Sequence, residues 1–172
     1  CDVVYLPRTE GISSTMLRDE KQRIIRVGIA GCGSIARRFV PESSFVSGVT
    51  ITGIYDTEPS AAESFVQNLN TGHIFDSYEA LLEGVDAVYI ATPHLSHYRL
   101  AKQAIVARKH VLCEIPLTLN REEAAELYAL AEQNGVVLME AHKTAHCPAF
   151  NHLMVMIKSG VIGEVVDVEA SL

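Results

Sequence analysis

The chain has 172 residues, enough for one complete hydrophobic core and part of a second one. A hydrophobic content of 48% excludes an intrinsically disordered protein, and a net charge of −7 argues against nucleic acid or an anionic membrane as a partner. The 4 cysteines are widely spaced, without a C-x-x-C pattern, which indicates reduced thiols and a cytoplasmic location. We expect no membrane-spanning segment, because no apolar run is long enough.

Strand and helix patterns alternate from residue 24 to residue 141, which predicts an α/β fold with a doubly wound parallel sheet. Apolar faces predict helices around Phe65 and around Leu100, and Asn120 and Gly135 mark the ends of a third. The predicted strands are 25–30, 49–55, 87–91, 110–114 and 136–141, with a short one near 73–75. A helix over about 148–159 and a strand over 164–170 are predicted to begin a second, truncated α/β domain.

A glycine-rich turn, G-x-G-x-x-A, follows the first predicted strand and precedes a helix-like stretch. Gly31 permits a tight turn, Gly33 lets a pyrophosphate approach the backbone, and Ala36 allows helix and sheet to pack closely. The alternative is an ordinary turn between a strand and a helix. The order of strand, turn, helix and distant acidic residue favours a dinucleotide site.

The pyrophosphate is expected on the free backbone N–H groups at the start of the helix, at Ser34 and Ile35. Asp56 ends the second predicted strand, 20 residues after the alanine of the fingerprint. Its carboxylate is suited to accept hydrogen bonds from an adenosine ribose and to repel a 2′-phosphate. NAD is therefore predicted in preference to NADP, although Arg37 and Arg38 lie within reach of the same area.

From Arg26 onwards the chain resembles the N-terminal domain of the glucose–fructose oxidoreductase, inositol dehydrogenase and MocA (Gfo/Idh/MocA) family. This resemblance implies a Rossmann, NAD-binding domain followed by an α/β substrate domain, and hydride transfer between NAD(P) and a sugar, polyol or cyclitol. Thr92, Pro93 and Glu114 fall at the carboxyl ends of predicted strands, where open α/β sheets bind ligands, so they are predicted to bind the cofactor. The resemblance also puts His97 at a family position where it either lines the cofactor crevice or acts as a structural cap. The motifs that carry it are residues 28–36, Ala91-Thr92-Pro93 with His97, residues 110–116 and residues 159–164.

Two positions depart from the family pattern. Where the family has Glu-Lys-Pro, with a lysine that contacts the nicotinamide end and the substrate, this chain has Ile115. The arginine of a second family pattern is replaced by Ala145. Because the fifth and sixth strands are expected about 4.8 Å apart, we predict that Lys143 supplies the missing ammonium group as the catalytic residue. The alternative is a solvated lysine just beyond a strand.

A metal site is not predicted. His142, His146 and Glu140 are of metal-binding types, but a segment running from strand into loop does not assure helical spacing. Cys32, inside the glycine-rich turn, is interpreted as a small filler.

Residues 3–17 are similar to the closing motif of glycerol-3-phosphate cytidylyltransferase-like enzymes, on the stretch from Arg8 to Thr15. The resemblance implies that Arg8 and the hydroxyls at 13–15 hold CTP phosphates, and the alternative is a polar leader. The predicted domains are a cytidylyltransferase-like tail and linker over 1–22, a dinucleotide-binding domain over 23–147, and the connecting helix and first strand of a truncated substrate domain over 148–172.

The sequence as a whole predicts a fragment of a cytidylyltransferase–oxidoreductase fusion that acts on a small sugar or polyol, and a fragment that is inactive by itself. Two alternatives stay open. One is a dinucleotide-binding module without catalysis, and the other is a parent protein whose main activity is CTP:polyol-phosphate cytidylyl transfer. The oligomeric state is open, and a homo-oligomer is allowed.

Overall fold

The computed structural model describes residues 24–169. It contains a six-stranded parallel sheet flanked by helices, which confirms the predicted α/β fold. The strands are β1 (Ile25–Ala30), β2 (Val49–Tyr55), β3 (His73–Ile74), β4 (Ala87–Ile90), β5 (His110–Cys113) and β6 (Leu138–Glu140). Their order in the sheet is β3-β2-β1-β4-β5-β6.

The helices lie between the strands, as the alternating pattern predicts. They are α1 (Ser34–Ser43), α2 (Pro59–Leu69), α3 (Tyr78–Gly84), α4 (His97–Val106), α5 (Arg121–Asn134), α6 (Lys143–His146) and α7 (Pro148–Lys158), with a 3-10 turn over His94–Ser96. The caps predicted for α5 are present, since the Asn120 side chain accepts a hydrogen bond from Glu123 N and Gly135 has a φ of 67°. None of the described helices is long and apolar enough to cross a membrane.

The chain divides into two compact units after Ala87. In the first unit, β1 and β2 pair in parallel and α3 packs closely on both. A Cβ atom built on Gly28 would lie 2.9 Å from the Leu81 side chain, and one built on Gly53 only 2.5 Å from it. The two glycines therefore let Leu81, which is fully buried, pack against the strand backbones.

In the second unit, β5 and β6 pair in parallel with Cys113 opposite Glu140. Helices α4 and α5 contact each other, and a polar cluster joins them: the Tyr98 hydroxyl donates to Glu126, as does the Lys102 ammonium. Hydrogen bonding to Glu126 and Tyr98 raises the pKa of Lys102, so this lysine stays charged. Both helices contribute to the apolar core of the unit, since Leu100 and Ile105 of α4 and Leu127 of α5 are buried.

The strand predicted over 164–170 is not formed in the part that the structure describes. Residues 164–169 have no strand assignment, and Val166 and Val168 are strongly exposed. The physical reason is that a strand needs a neighbouring strand for its hydrogen bonds, and residues 24–169 provide none at this point. The cytidylyltransferase-like stretch over 3–17 lies outside the described residues, so that resemblance stays a prediction.

Candidate functional site

The turn between β1 and α1 has the backbone geometry that its glycines predict. Gly31 has a φ of 97°, in the left-handed region that side chains disfavour. Its N–H donates to the carbonyl oxygen of Tyr55 at 2.9 Å, and this bond ties the turn to the end of β2. The position of the turn is therefore set by two neighbouring strands.

Gly33 leaves open space at the beginning of α1. It is the N-cap residue, and a Cβ atom built on it would meet no atom of the protein beyond its chain neighbours within 4 Å. Glycine has no side chain to cap the helix, so the first N–H groups of α1, which include those of Ser34 and Ile35, have no side-chain cap. Ala36 is fully buried against the core. Open space and uncapped donors together suit an anionic group.

Asp56 is fixed at the end of β2 by two backbone donors. Its Oδ2 accepts a hydrogen bond from the N–H of Cys32 at 2.7 Å, and its Oδ1 accepts one from the N–H of Glu58 at 2.9 Å. The structure therefore brings the predicted acidic residue and the glycine-rich turn into direct contact. A carboxylate oxygen has more than one acceptor site, so this arrangement leaves capacity for ligand hydroxyls.

Cys32 has a chemical environment that keeps its thiol protonated. Burial, with a further contribution from the Asp56 carboxylate, raises the pKa of Cys32 to about 12. The Arg37 guanidinium opposes this shift, so its charge reaches the turn. Arg37 also lies 5.4 Å from the ring centroid of Phe65 and donates to the Ser64 hydroxyl at 3.4 Å. Cys32 is thus a small buried filler and not a nucleophile.

The Thr92-Pro93 turn follows β4 and is closed by Ser96. The Ser96 hydroxyl oxygen lies 2.7 Å from the Thr92 hydroxyl oxygen and 2.6 Å from the Pro93 carbonyl oxygen. His97 begins α4 directly after this turn. Its side chain is fully buried, and its two ring nitrogens lie 2.8 Å from the carbonyl oxygens of Thr92 and Pro116.

The segment after β5 is held by hydrogen bonds of Tyr89, Glu114 and Glu140, of which the sequence analysis did not single out Tyr89. The Tyr89 hydroxyl donates to Glu114 Oε1 at 2.5 Å, and Glu140 Oε1 accepts from the N–H of Leu117 at 2.8 Å. The sequence did contain a signal for the contact of Tyr89 with Glu114, because a tyrosine inside a buried aliphatic strand needs a partner for its hydroxyl. The predicted residues Thr92, His97 and Glu114 are thus all tied into one network of the second unit.

Lys143 is exposed and begins α6. The pairing of Cys113 with Glu140 places Ile115 two residues beyond one member of the pair and Lys143 three residues beyond the other. The Ile115 side chain is 45% exposed. The two positions therefore follow neighbouring strands at the same edge of the sheet, which is the premise of the predicted replacement.

Nearby histidine and carboxylate groups do not converge on a metal-binding arrangement. His142 Nε2 lies 3.6 Å from Glu140 Oε2, while the other oxygen of Glu140 accepts from the loop backbone. Within residues 24–169, no group of three or more ligating side chains is close enough to hold a metal ion.

Comparisons with known proteins agree with this geometry. A family described as an oxidoreductase family with an NAD-binding Rossmann fold matches residues 25–142. The dTDP-3,4-didehydro-2,6-dideoxy-alpha-D-glucose 3-reductase of Actinomadura kijaniata is 38% identical over 150 residues, covering 86% of this chain and 45% of the reductase. The scyllo-inositol 2-dehydrogenase (NADP(+)) IolU of Bacillus subtilis (strain 168) is 36% identical over 132 residues, covering 76% of this chain and 40% of the dehydrogenase.

Solved structures give the same result. KijD10, a 3-ketoreductase from Actinomadura kijaniata in complex with NADP and TDP-benzene, superposes with a TM-score of 0.74 at 38% identity, covering 81% of this chain and 44% of KijD10. The UDP-N-acetylglucosamine 3-dehydrogenase GnnA from Acidithiobacillus ferrooxidans superposes with a TM-score of 0.70 at 32% identity, covering 76% of this chain and 42% of GnnA. This chain spans less than half the length of each of these relatives. The chain belongs to the Gfo/Idh/MocA family of NAD(P)-dependent oxidoreductases, whose Rossmann fold accounts for residues 25–142.

Proposed function

We propose that this chain is the dinucleotide-binding part of an oxidoreductase that acts on a sugar, polyol or cyclitol. The observation that carries the proposal is the turn after β1, where Gly33 opens onto uncapped N–H groups and Asp56 fixes the backbone of Cys32. Such a turn binds pyrophosphate through N–H groups that the helix leaves unsatisfied. The substrate class is supported by the names of the relatives, which act on sugar nucleotides and an inositol.

We propose NAD as the preferred dinucleotide. The Asp56 carboxylate follows β2 and accepts from the backbone of the glycine-rich turn, so a 2′-phosphate bound beside it would face a like charge. Arg37 is already engaged by Phe65 and Ser64. KijD10 and IolU are both named with NADP, so similarity to these relatives favours NADP. The charges around Asp56 in this chain favour NAD instead.

For the chemical step, we propose that Lys143 assists at the substrate oxygen. The bound nicotinamide would supply or accept the hydride, and the lysine ammonium would donate a hydrogen bond to the carbonyl oxygen that gains negative charge. Support comes from the pairing of β5 with β6, in which Cys113 lies opposite Glu140, two residues before Ile115 and three residues before Lys143 respectively. The competing proposal is a binding module without catalysis, and the losses at Ile115 and Ala145 favour it.

The test begins with calorimetric titrations of the 172-residue chain with NAD and NADP. We expect saturable binding, tighter for NAD, without oxidation of NADH when keto sugars are added. Absence of binding to both dinucleotides would refute the proposal. Turnover by this chain would refute the expected inactivity and, if Lys143→Ala removed it, would support the catalytic role of the lysine.

A second candidate function rests on the motif from Arg8 to Thr15. We propose that the parent protein also transfers a cytidylyl group from CTP to a polyol phosphate, with the oxidoreductase supplying the polyol from a keto sugar. The measurement is pyrophosphate release from CTP by the parent protein with a series of polyol phosphates. Failure with every member of the series, together with failure to oxidise NADH with the matching keto sugars, would reject the fusion.

A further inference from the structure

His97 is the one polar residue in the buried core of the described chain. Its Nε2 lies 2.8 Å from the carbonyl oxygen of Thr92, and its Nδ1 lies 2.8 Å from that of Pro116. A carbonyl oxygen only accepts hydrogen bonds, so the ring contributes the N–H donor between the two segments. One buried ring thus connects the turn after β4 with the segment after β5.

The two connected segments are well ordered by other contacts of the same unit. Ser96 closes the Thr92-Pro93 turn, and Glu140 accepts from Leu117 immediately after Pro116. None of these contacts joins residues 92–93 to the segment after β5. That segment is tied to β4 itself, since the Tyr89 hydroxyl donates to the Glu114 carboxylate and the N–H of Glu114 donates to the carbonyl oxygen of Ile90. The ring of His97 therefore adds a constraint that an apolar side chain of the same volume would not supply.

Both segments lie at the carboxyl ends of their strands, where open α/β sheets bind ligands. Their relative position must therefore be correct for a ligand that touches both. The ring of His97 is fully buried and both of its nitrogens are already engaged by the protein. It has no free polar atom to offer to a dinucleotide.

We propose that His97 is a positioning residue, which joins residues 92–93 to residues 114–116 so that they receive the nicotinamide half of the dinucleotide as one surface. The inference rests on the proposed function, and it replaces a direct cofactor contact of His97 with an indirect role. Binding of ADP depends instead on the turn after β1, which this bridge does not include.

The first experiment compares the affinities of His97→Ala for NAD and for ADP with those of the unmodified chain. We expect NAD to bind roughly tenfold more weakly, from the loss of the ring's hydrogen bonding between the two segments, while ADP binds as before. His152→Ala is the matched control, because it removes an exposed histidine of α7. Equal losses for NAD and ADP would indicate a purely structural role and would overturn the inference.

The second experiment restores the missing ring with a small molecule. Alanine keeps the Cβ atom, so added imidazole can occupy the vacated volume and supply an N–H donor between the two carbonyl oxygens. Thiazole has a similar size and no N–H group. We expect imidazole to restore NAD affinity and thiazole to leave it weak; rescue by both compounds would show that only volume matters and would reject the bridge.

Two further outcomes separate this inference from the proposed function. If His97→Ala does not fold, recovery of folding with imidazole but not with thiazole supports the bridge. Recovery with both compounds, or with neither, rejects it. If the unmodified chain binds neither NAD nor NADP nor ADP, the proposed function fails. Unchanged NAD affinity of His97→Ala, beside normal binding by the unmodified chain, overturns this inference alone.

Discussion

Replacing Gly33 or Gly53 with alanine should have opposite effects on dinucleotide binding and on stability. A Cβ atom on Gly33 meets open space, whereas one on Gly53 would lie 2.5 Å from the Leu81 side chain and 2.9 Å from that of Phe75. Gly33→Ala should therefore leave the fold intact and obstruct the pyrophosphate. Gly53→Ala should disturb the core of the first unit and leave the binding turn itself unchanged.

The magnitudes follow from these contacts. At Gly33, alanine is a poorer helix cap but has less freedom in the unfolded chain, and the two effects oppose each other, so the free energy of unfolding should change by less than about 1 kcal/mol. Loss of one charge-assisted hydrogen bond to phosphate costs about 2–3 kcal/mol, or roughly 30- to 150-fold in Kd. At Gly53, overpacking should lower the free energy of unfolding by about 1–3 kcal/mol.

The assay pairs urea denaturation with calorimetric titration of NAD for both variants. We expect Gly33→Ala to have the urea midpoint of the unmodified chain and much weaker NAD binding. Gly53→Ala should have a lower midpoint and, in the absence of urea, near-normal affinity. If Gly33→Ala bound NAD as tightly as the unmodified chain, the turn after β1 would not be the pyrophosphate site and the reasoning would fail.

Further predictions concern charge and chemistry. Asp56→Ser should reduce the preference for NAD over NADP, measured as the ratio of the two Kd values, and an unchanged ratio would remove Asp56 from cofactor selection. In the parent protein, Lys143→Ala should abolish turnover with NAD affinity near normal; persisting turnover would reject the catalytic role. Ile115→Lys should change the free energy of unfolding, measured by urea denaturation, by less than about 0.5 kcal/mol, because the replaced side chain is nearly half exposed. Burial raises the pKa of Cys32 and of Cys113 to about 12, so the unfolded chain releases these protons first and stability should fall as pH rises from about 9 to 12. Replacing both cysteines with alanine should flatten that fall in a urea titration at each pH, and an unaltered slope would assign the fall to other groups.

The elements that the sequence predicts well are those with local signals. Strand β2 ends at Tyr55 as predicted, and α5 begins after the capping Asn120 because its side chain reaches the backbone three residues on. Helix α3 was missed since seven residues give too little periodicity, although Ser77 caps it through Ala80 N. The contact between Asp56 and Cys32 follows from strand order, whereas the bridge of His97 depends on distant carbonyl groups that have no sequence signature.

At Ile115 the chain lacks the lysine side chain of the family pattern, but the contacts that position the backbone of this loop are present. Three contacts hold the segment: Tyr89 on the Glu114 carboxylate, His97 on the Pro116 carbonyl, and Glu140 on the Leu117 N–H. None of the three involves the side chain at position 115, so exchanging lysine for isoleucine there removes an ammonium group without removing any of these anchors. The scaffold for a catalytic side chain can therefore persist after that side chain is gone. We therefore expect dinucleotide binding to survive the exchange at position 115, and turnover to depend on whether Lys143 supplies a charge at this edge of the sheet.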